Sequence, residues 1–254
     1  MSPSFGPVRQ ITSAFAETMK LLLSDPESEK MIYFQSILDE LKQIAQSHQT
    51  HFPELSNSAR DKSVRTILAE GGDCIHRGIL CPSPILTLLA GCNQGQEASS
   101  RDSISSNYFE YHFDANDRIV AAHHFDAAYS LIEPDFVEFV LRQNEVEYGI
   151  TFHKGWHEVS YISKSVYRDG QIQNYAAADY DEAHPDEMYL HYEEFQYADD
   201  IPIKVDVYFG ISPELDMYEQ DTFEIVFDDV NSARENNFNA LSLDFKLTKE
   251  RRER

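Results

Sequence analysis

Two periods divide the chain. In the first part, apolar residues recur every three or four positions. Thr12 to Leu23 places Phe15, Met19, Leu22 and Leu23 on one helical face. Asp25-Pro26-Glu27 supplies a cap acceptor, a proline for the first turn and an acid near the positive helix end. The helix it opens carries Met31, Phe34, Leu38, Leu41 and Ala45 as its stripe. Pro53 falls in the linker that follows. Ser58 to Glu70 reads as a third helix, with Val64, Ile67 and Leu68 apolar and Gly71-Gly72 as its stop. Ser83-Pro84 opens a short fourth helix through Leu89.

The period then falls to two. Ile201, Ile203, Val205, Val207, Phe209 and Ile211 alternate with Pro202, Lys204, Asp206 and Tyr208. Phe223, Ile225 and Phe227 alternate likewise, as do Leu241, Leu243, Phe245 and Leu247. Val146 to Phe152, Val159 to Tyr167 and Gln171 to Tyr175 give further strands, the last after the tight turn Arg168-Asp169-Gly170. Alternation predicts an antiparallel sheet with one buried and one wet face. Glu133-Pro134, with Phe136, Phe139 and Val140, predicts one helix inside this sheet region. The expected fold is therefore α+β: a helical region over 1–92, a polar linker over 93–107, an acidic antiparallel sheet domain with one packed helix over 108–248, and a charged tail over 249–254.

Charge changes the picture. The formal net charge is −23, and it is lopsided: residues 1–107 carry twelve acids and nine bases, whereas residues 108–254 carry thirty-two acids and twelve bases. Residues 179–229 hold seventeen acids, ten Tyr or Phe and a single base, Lys204. A solvating acidic tail lacks aromatics because it has nothing to bury. This stretch is expected to fold and to present a dense negative surface. Such a field repels nucleic-acid phosphates and anionic membranes and draws basic proteins. The residues expected to meet a partner are Asp179, Asp181, Glu182, Asp186, Glu187, Glu193, Glu194, Asp199 and Asp200. Tyr192, Tyr197 and the single tryptophan, Trp156, are the aromatic anchors expected beside them.

Catalytic and metal motifs are sparse. The three cysteines, Cys74, Cys81 and Cys92, are too few and too oddly spaced for a disulfide framework or a zinc ribbon. Cys74 and His76 lack a second ligand pair. His153 and His157 are four apart with Glu158 adjacent, but Lys154-Gly155 argues for a hairpin, where that spacing does not converge. His123 and His124 diverge if they lie on a strand. Asp179 to Glu187 has calcium-type oxygens without the turn glycine. G-x-S-x-G and the P-loop are absent. No metal, no cofactor and no enzymatic activity are expected. Leu89-Ala90-Gly91-Cys92 has the form of a lipoprotein cleavage box. It lies far from Met1, so a cytoplasmic protein is expected, with lipid anchoring through Cys92 as the alternative if translation starts near residue 75.

Tyr111-His112-Phe113-Asp114-Ala115-Asn116-Asp117-Arg118-Ile119-Val120 resembles the aromatic-Asp hairpin unit of Rhs/YD-repeat proteins, with Asp117 in place of the usual turn glycine. Tyr167 to Ile172 is similar to a looser second copy. An Rhs shell needs many copies, so the chain is not one. Hairpins of this kind with strong acidity resemble immunity proteins of bacterial polymorphic toxin systems. The resemblance implies inhibitory binding of a cognate toxin domain by occlusion of a basic active site. Two other readings remain open: a DNA-mimic or regulatory protein binder unrelated to toxins, and a hydrolase using two carboxylates from neighbouring strands. Oligomeric state is not legible.

Overall fold

The computed structural model describes residues 26–71, 76–83, 85–86, 95–104, 106–128, 132–153, 158–212 and 217–225. The expected elements at Thr12 to Leu23, most of Ser83 to Cys92 and Leu241 to Leu247, together with the tail over 249–254, Trp156 and His157, lie outside these residues.

Helix α1 spans Pro26–His48. Its stripe is buried as the spacing predicts: Phe34, Leu41 and Ala45 have no exposed surface, and Leu38 very little. Helix α2 spans Phe52–Lys62, so Pro53 lies in its first turn rather than in a linker. A proline there gives up no intrahelical bond, because the first amides of a helix have no partner. At Ser63 the backbone turns extended, and β1 runs Arg65–Glu70. The expected helix over Ser58 to Glu70 is thus corrected to half a helix and a strand. Gly71 does take a left-handed φ of 72°, but it follows a strand.

The other strands are β2 Gln96–Ala98, β3 Tyr108–Phe113, β4 Ile119–Phe125, β5 Phe136–Gln143, β6 Val146–His153, β7 Glu158–Arg168, β8 Gln171–Asp179, β9 Leu190–Ala198, β10 Ile201–Ser212 and β11 Met217–Glu224. They form one 11-stranded sheet ordered β11-β10-β9-β8-β7-β6-β5-β4-β3-β1-β2. From β3 to β11 every strand pairs antiparallel with its sequence neighbours, the arrangement that short hairpins impose. The helix expected after Glu133-Pro134 is β5. Val137 and Phe139 join one core, whereas Phe136, Glu138 and Val140 face the other side. A strand buried on both faces carries an apolar run that a helix also fits, and that ambiguity produced the wrong assignment.

Both faces are covered. On the first, α1 and α2 pack against Val137, Phe139, Ile150, Phe152, Ile162, Ala176, Leu190, Tyr192 and Tyr208. The Phe34 ring sits 5.4 Å from that of Tyr192 and 5.2 Å from that of Tyr208. On the second face the connection between β1 and β2 brings Ile85 into a core with Tyr175, Ala177, Phe195, Val205, Val207 and Phe223. The wet face expected over 179–229 is therefore replaced, in β8 to β10, by a second buried face. Among the described residues, no helix is long and apolar enough to cross a membrane.

Candidate functional site

The second face is floored by charge. Arg77 is 3% exposed and sits at a left-handed φ of 61°, just before a short 3-10 turn over Gly78–Leu80. Its Nε donates to Glu138 Oε1 at 2.7 Å and its Nη1 to Glu147 Oε1 at 2.5 Å. Arg142 pairs with the other Glu147 oxygen at 2.5 Å. Tyr111 donates its hydroxyl to the Arg77 carbonyl at 2.7 Å, which holds the left-handed backbone in place. Burial acts to raise the Glu138 carboxyl, but Arg77 and His76 outweigh it and hold it below its ordinary range.

His76 extends the network. Its Nε2 lies 2.7 Å from Glu138 Oε1 and 3.2 Å from Ser163 Oγ, and its Nδ1 lies 2.9 Å from the Tyr175 hydroxyl. Tyr161 and Tyr175 share a hydroxyl hydrogen bond of 3.1 Å, and burial raises both phenols. Gly149 makes room for the whole arrangement. A Cβ there would meet Glu138 Oε1 at 1.9 Å, Ser163 Oγ at 2.6 Å and Arg77 Nη2 at 2.8 Å. Burial pushes the Cys81 thiol up, which disfavours the thiolate.

Beside the network lies a cavity of about 450 Å³, mostly apolar, into which His76, Arg77, His124, Glu138, Tyr161 and Asp179 contribute polar groups. His124 is fixed by Asp135, with Nδ1 at 2.9 Å from its carboxylate. Asp179 enters from the end of β8, and burial raises its carboxyl.

The residues expected to form an acidic interface fall into several environments. Asp181, Glu182, Asp186 and Glu187 are exposed in the β8–β9 loop beside α1. Lys42 pairs with Asp186, and Gln49 donates to Glu182 at 3.0 Å. Asp181 accepts from its own loop, and His184 lies 3.0 Å away. The His184 contact, ahead of the backbone bond from Ala183, holds the Asp181 carboxyl low, and the carboxylate in turn raises the imidazole. Glu194, Asp199 and Asp200 are also exposed, the last two as the β9–β10 turn with φ of 49° and 67°.

Glu193 and Tyr192 differ. Glu193 has no exposed surface. Ser83 donates to both of its oxygens at 2.8 and 2.7 Å, and His191 Nε2 lies 2.7 Å from one. Tyr192 is buried under α1, its hydroxyl 3.1 Å from that of Tyr33. Neither can touch a partner directly. Tyr197 is half-buried and donates to the Ile172 carbonyl at 2.7 Å. Asp179 is exposed and also lines the cavity. The aromatic that stands among the loop acids is Tyr189, at 58% exposure.

Sequence reasoning missed the Arg77, Glu138, Glu147 and Ser83 roles. The one available signal was Gly149, a glycine inside a strand pattern, which marks a close approach. No family model, curated protein or solved structure matches this chain.

Proposed function

We propose that this chain is a binding protein that neutralises a basic partner by covering its anion-binding surface, with a toxin domain of the polymorphic type as the partner class. The observation that carries this reading is the β8–β9 loop, where Asp181, Glu182, Asp186 and Glu187 stand exposed with Tyr189 among them. Four carboxylates around one exposed tyrosine combine electrostatic steering with an aromatic anchor. Asp199, Asp200 and Glu194 extend the negative field. The resident bases are few: among the described residues Lys42 pairs with Asp186 and His184 with Asp181. The partner's Lys and Arg would supply the missing countercharge, and these are the groups that hold phosphates in nuclease-like clefts.

A search of the neighbouring genes for a basic toxin domain supplies the probe, and finding none there favours a partner unrelated to toxins. Association should slow steeply as salt rises, since screening shrinks from about 30 Å at 0.01 M to about 8 Å at 0.15 M. Replacing Asp181, Glu182, Asp186 and Glu187 by their amides should reduce the association rate at least about tenfold and leave the circular dichroism unchanged. A rate flat in salt, or protection intact in the quadruple variant, overturns the reading.

The cavity favours a second reading. Glu138 and Asp179 both line it, with His76 and His124, which suits a hydrolase using sheet carboxylates. Hydrolysis of an ester or glycoside substrate that disappears in Asp179→Asn would support it over inhibitory binding.

A further inference from the structure

On the sheet face that carries the helices, beyond the end of α2, three side chains converge from two strands. Glu110 and His112 are two apart on β3, so they share a face. His123 on β4 is the direct cross-strand partner of Glu110. Among the described residues this is the one group of three such side chains with a ligand atom from each, all within 4.8 Å of one another.

We infer that Glu110, His112 and His123 form a binding site for a divalent transition-metal ion of the zinc class. Two imidazoles and one carboxylate are the donor set such ions take when a position is kept open. Zinc bonds of about 2.0–2.2 Å to nitrogen and oxygen put tetrahedral donors about 3.3 Å apart. His112 Nε2 lies 3.1 Å from Glu110 Oε1, already at that spacing. Small rotations of the side chains bring in the third ligand.

Three further observations point the same way. His112 Nε2 is buried and faces Glu110 Oε1 at 3.1 Å. Its other nitrogen, Nδ1, lies 3.4 Å from Ser63 Oγ and 3.5 Å from Thr66 Oγ1. Support of the distal nitrogen is how a metal-bound imidazole is oriented and its tautomer fixed. Finally, the His112 and His123 rings lie 4.6 Å apart at 53°, close enough for one ion to lie between them. All three residues are half-buried, which leaves a side open to water or to an anionic ligand.

The site is independent of the acidic loop. The expectation that His123 and His124 cannot share one ion stands, because His124 faces the cavity on the opposite side. The missing ligands come from β3.

The test is titration of the full chain with zinc chloride by calorimetry, and with cobalt chloride by visible absorption. One ion per chain should bind, with d–d bands of a four- or five-coordinate cobalt, and magnesium or calcium should not compete. His112→Ala, His123→Ala and Glu110→Gln should each weaken binding at least about tenfold, and Ser63→Ala with Thr66→Val by a smaller factor. The control is His48→Ala with His51→Ala, a second surface imidazole pair whose rings lie 5.7 Å apart. It should leave binding unchanged. Glu110→Gln keeps the side-chain shape, so its loss of zinc-induced thermal stabilisation reads out the site even if a histidine variant fails to fold. Absence of stoichiometric zinc binding at micromolar concentrations, binding unchanged in Glu110→Gln, or binding lost only in the His48/His51 variant overturns the assignment.

Discussion

Arg77 shows what one residue imposes on this molecule. A guanidinium that is 3% exposed survives only with its charge matched, and Glu138 and Glu147 do so from adjacent strands. Arg77→Met should cost roughly 3 kcal/mol or more, because it leaves Glu138 to His76 and Glu147 to Arg142 in a buried setting. Adding Glu138→Gln should recover part of the loss, giving a coupling of at least about 1 kcal/mol in a urea-denaturation cycle. Additive losses would show that the pair does not act as a unit. The same pair sets an acid limit. The folded Glu138 carboxyl is held below its ordinary value. Its contribution is fully present above the ordinary Glu pKa of about 4.3 and is lost as pH falls through the lower folded value. Acid unfolding should therefore be less steep in Arg77→Met with Glu138→Gln than in the native chain.

At the scale of elements, the hairpin turns were the most legible parts. Asp114 accepts from the amides of Asn116 and Arg118, and Arg118 pairs back onto the same carboxylate at 3.0 Å. These contacts, the Arg118 amide first, pull the Asp114 carboxyl down to about 2. Asp117 takes the left-handed φ of 60° that its position demands, although glycine is the usual occupant. The second predicted turn, Asp169-Gly170, has φ of 53° and 81°. Asp199 and Asp200 form a third turn with two left-handed non-glycine residues, and Gln171 donates to Asp200 Oδ1 at 3.2 Å. Asn-Gly is the pair that such turns prefer. Asp199→Asn with Asp200→Gly is expected to stabilise the chain by about 0.5 kcal/mol, read as a shift in the denaturation midpoint. A loss of stability would mean that the Gln171 contact outweighs the backbone strain. The helix assignments at 58–70 and 133–140 failed for a different reason. Val64, Ile67 and Leu68, like Phe136, Phe139 and Val140, are spaced for either element, and only pairing with β3 or with β4 and β6 decides between them.

The whole molecule carries a net charge of −23. Self-repulsion of that size opposes the compact state, and salt relieves it. Thermal stability should rise between about 0.01 and 0.15 M salt as the screening length falls from about 30 to about 8 Å. A midpoint that falls over this range would mean that surface ion pairs such as Lys42–Asp186 and Lys164–Glu40 outweigh the net repulsion. At this scale the acids also sort themselves. Those in the β8–β9 loop and the β9–β10 turn remain in water, whereas Glu138, Glu147 and Glu193 are interior and paired with Arg, His or Ser.

By itself the sequence determined the α1 stripe, the antiparallel habit, the tight turns and the concentration of acid after residue 179. These are local properties, written in spacings of two to four residues and in the backbone demands of single turn positions. Only the tertiary structure decided that the sheet is covered on both faces, that Glu193 and Tyr192 are interior, and that Arg77 meets two glutamates from adjacent strands more than sixty residues away. It alone set Glu110 opposite His123. Strand alternation fixes which residues share a face, but not which segment covers that face. A buried carboxylate and a solvated one have the same letter until the chain that packs over them is in place.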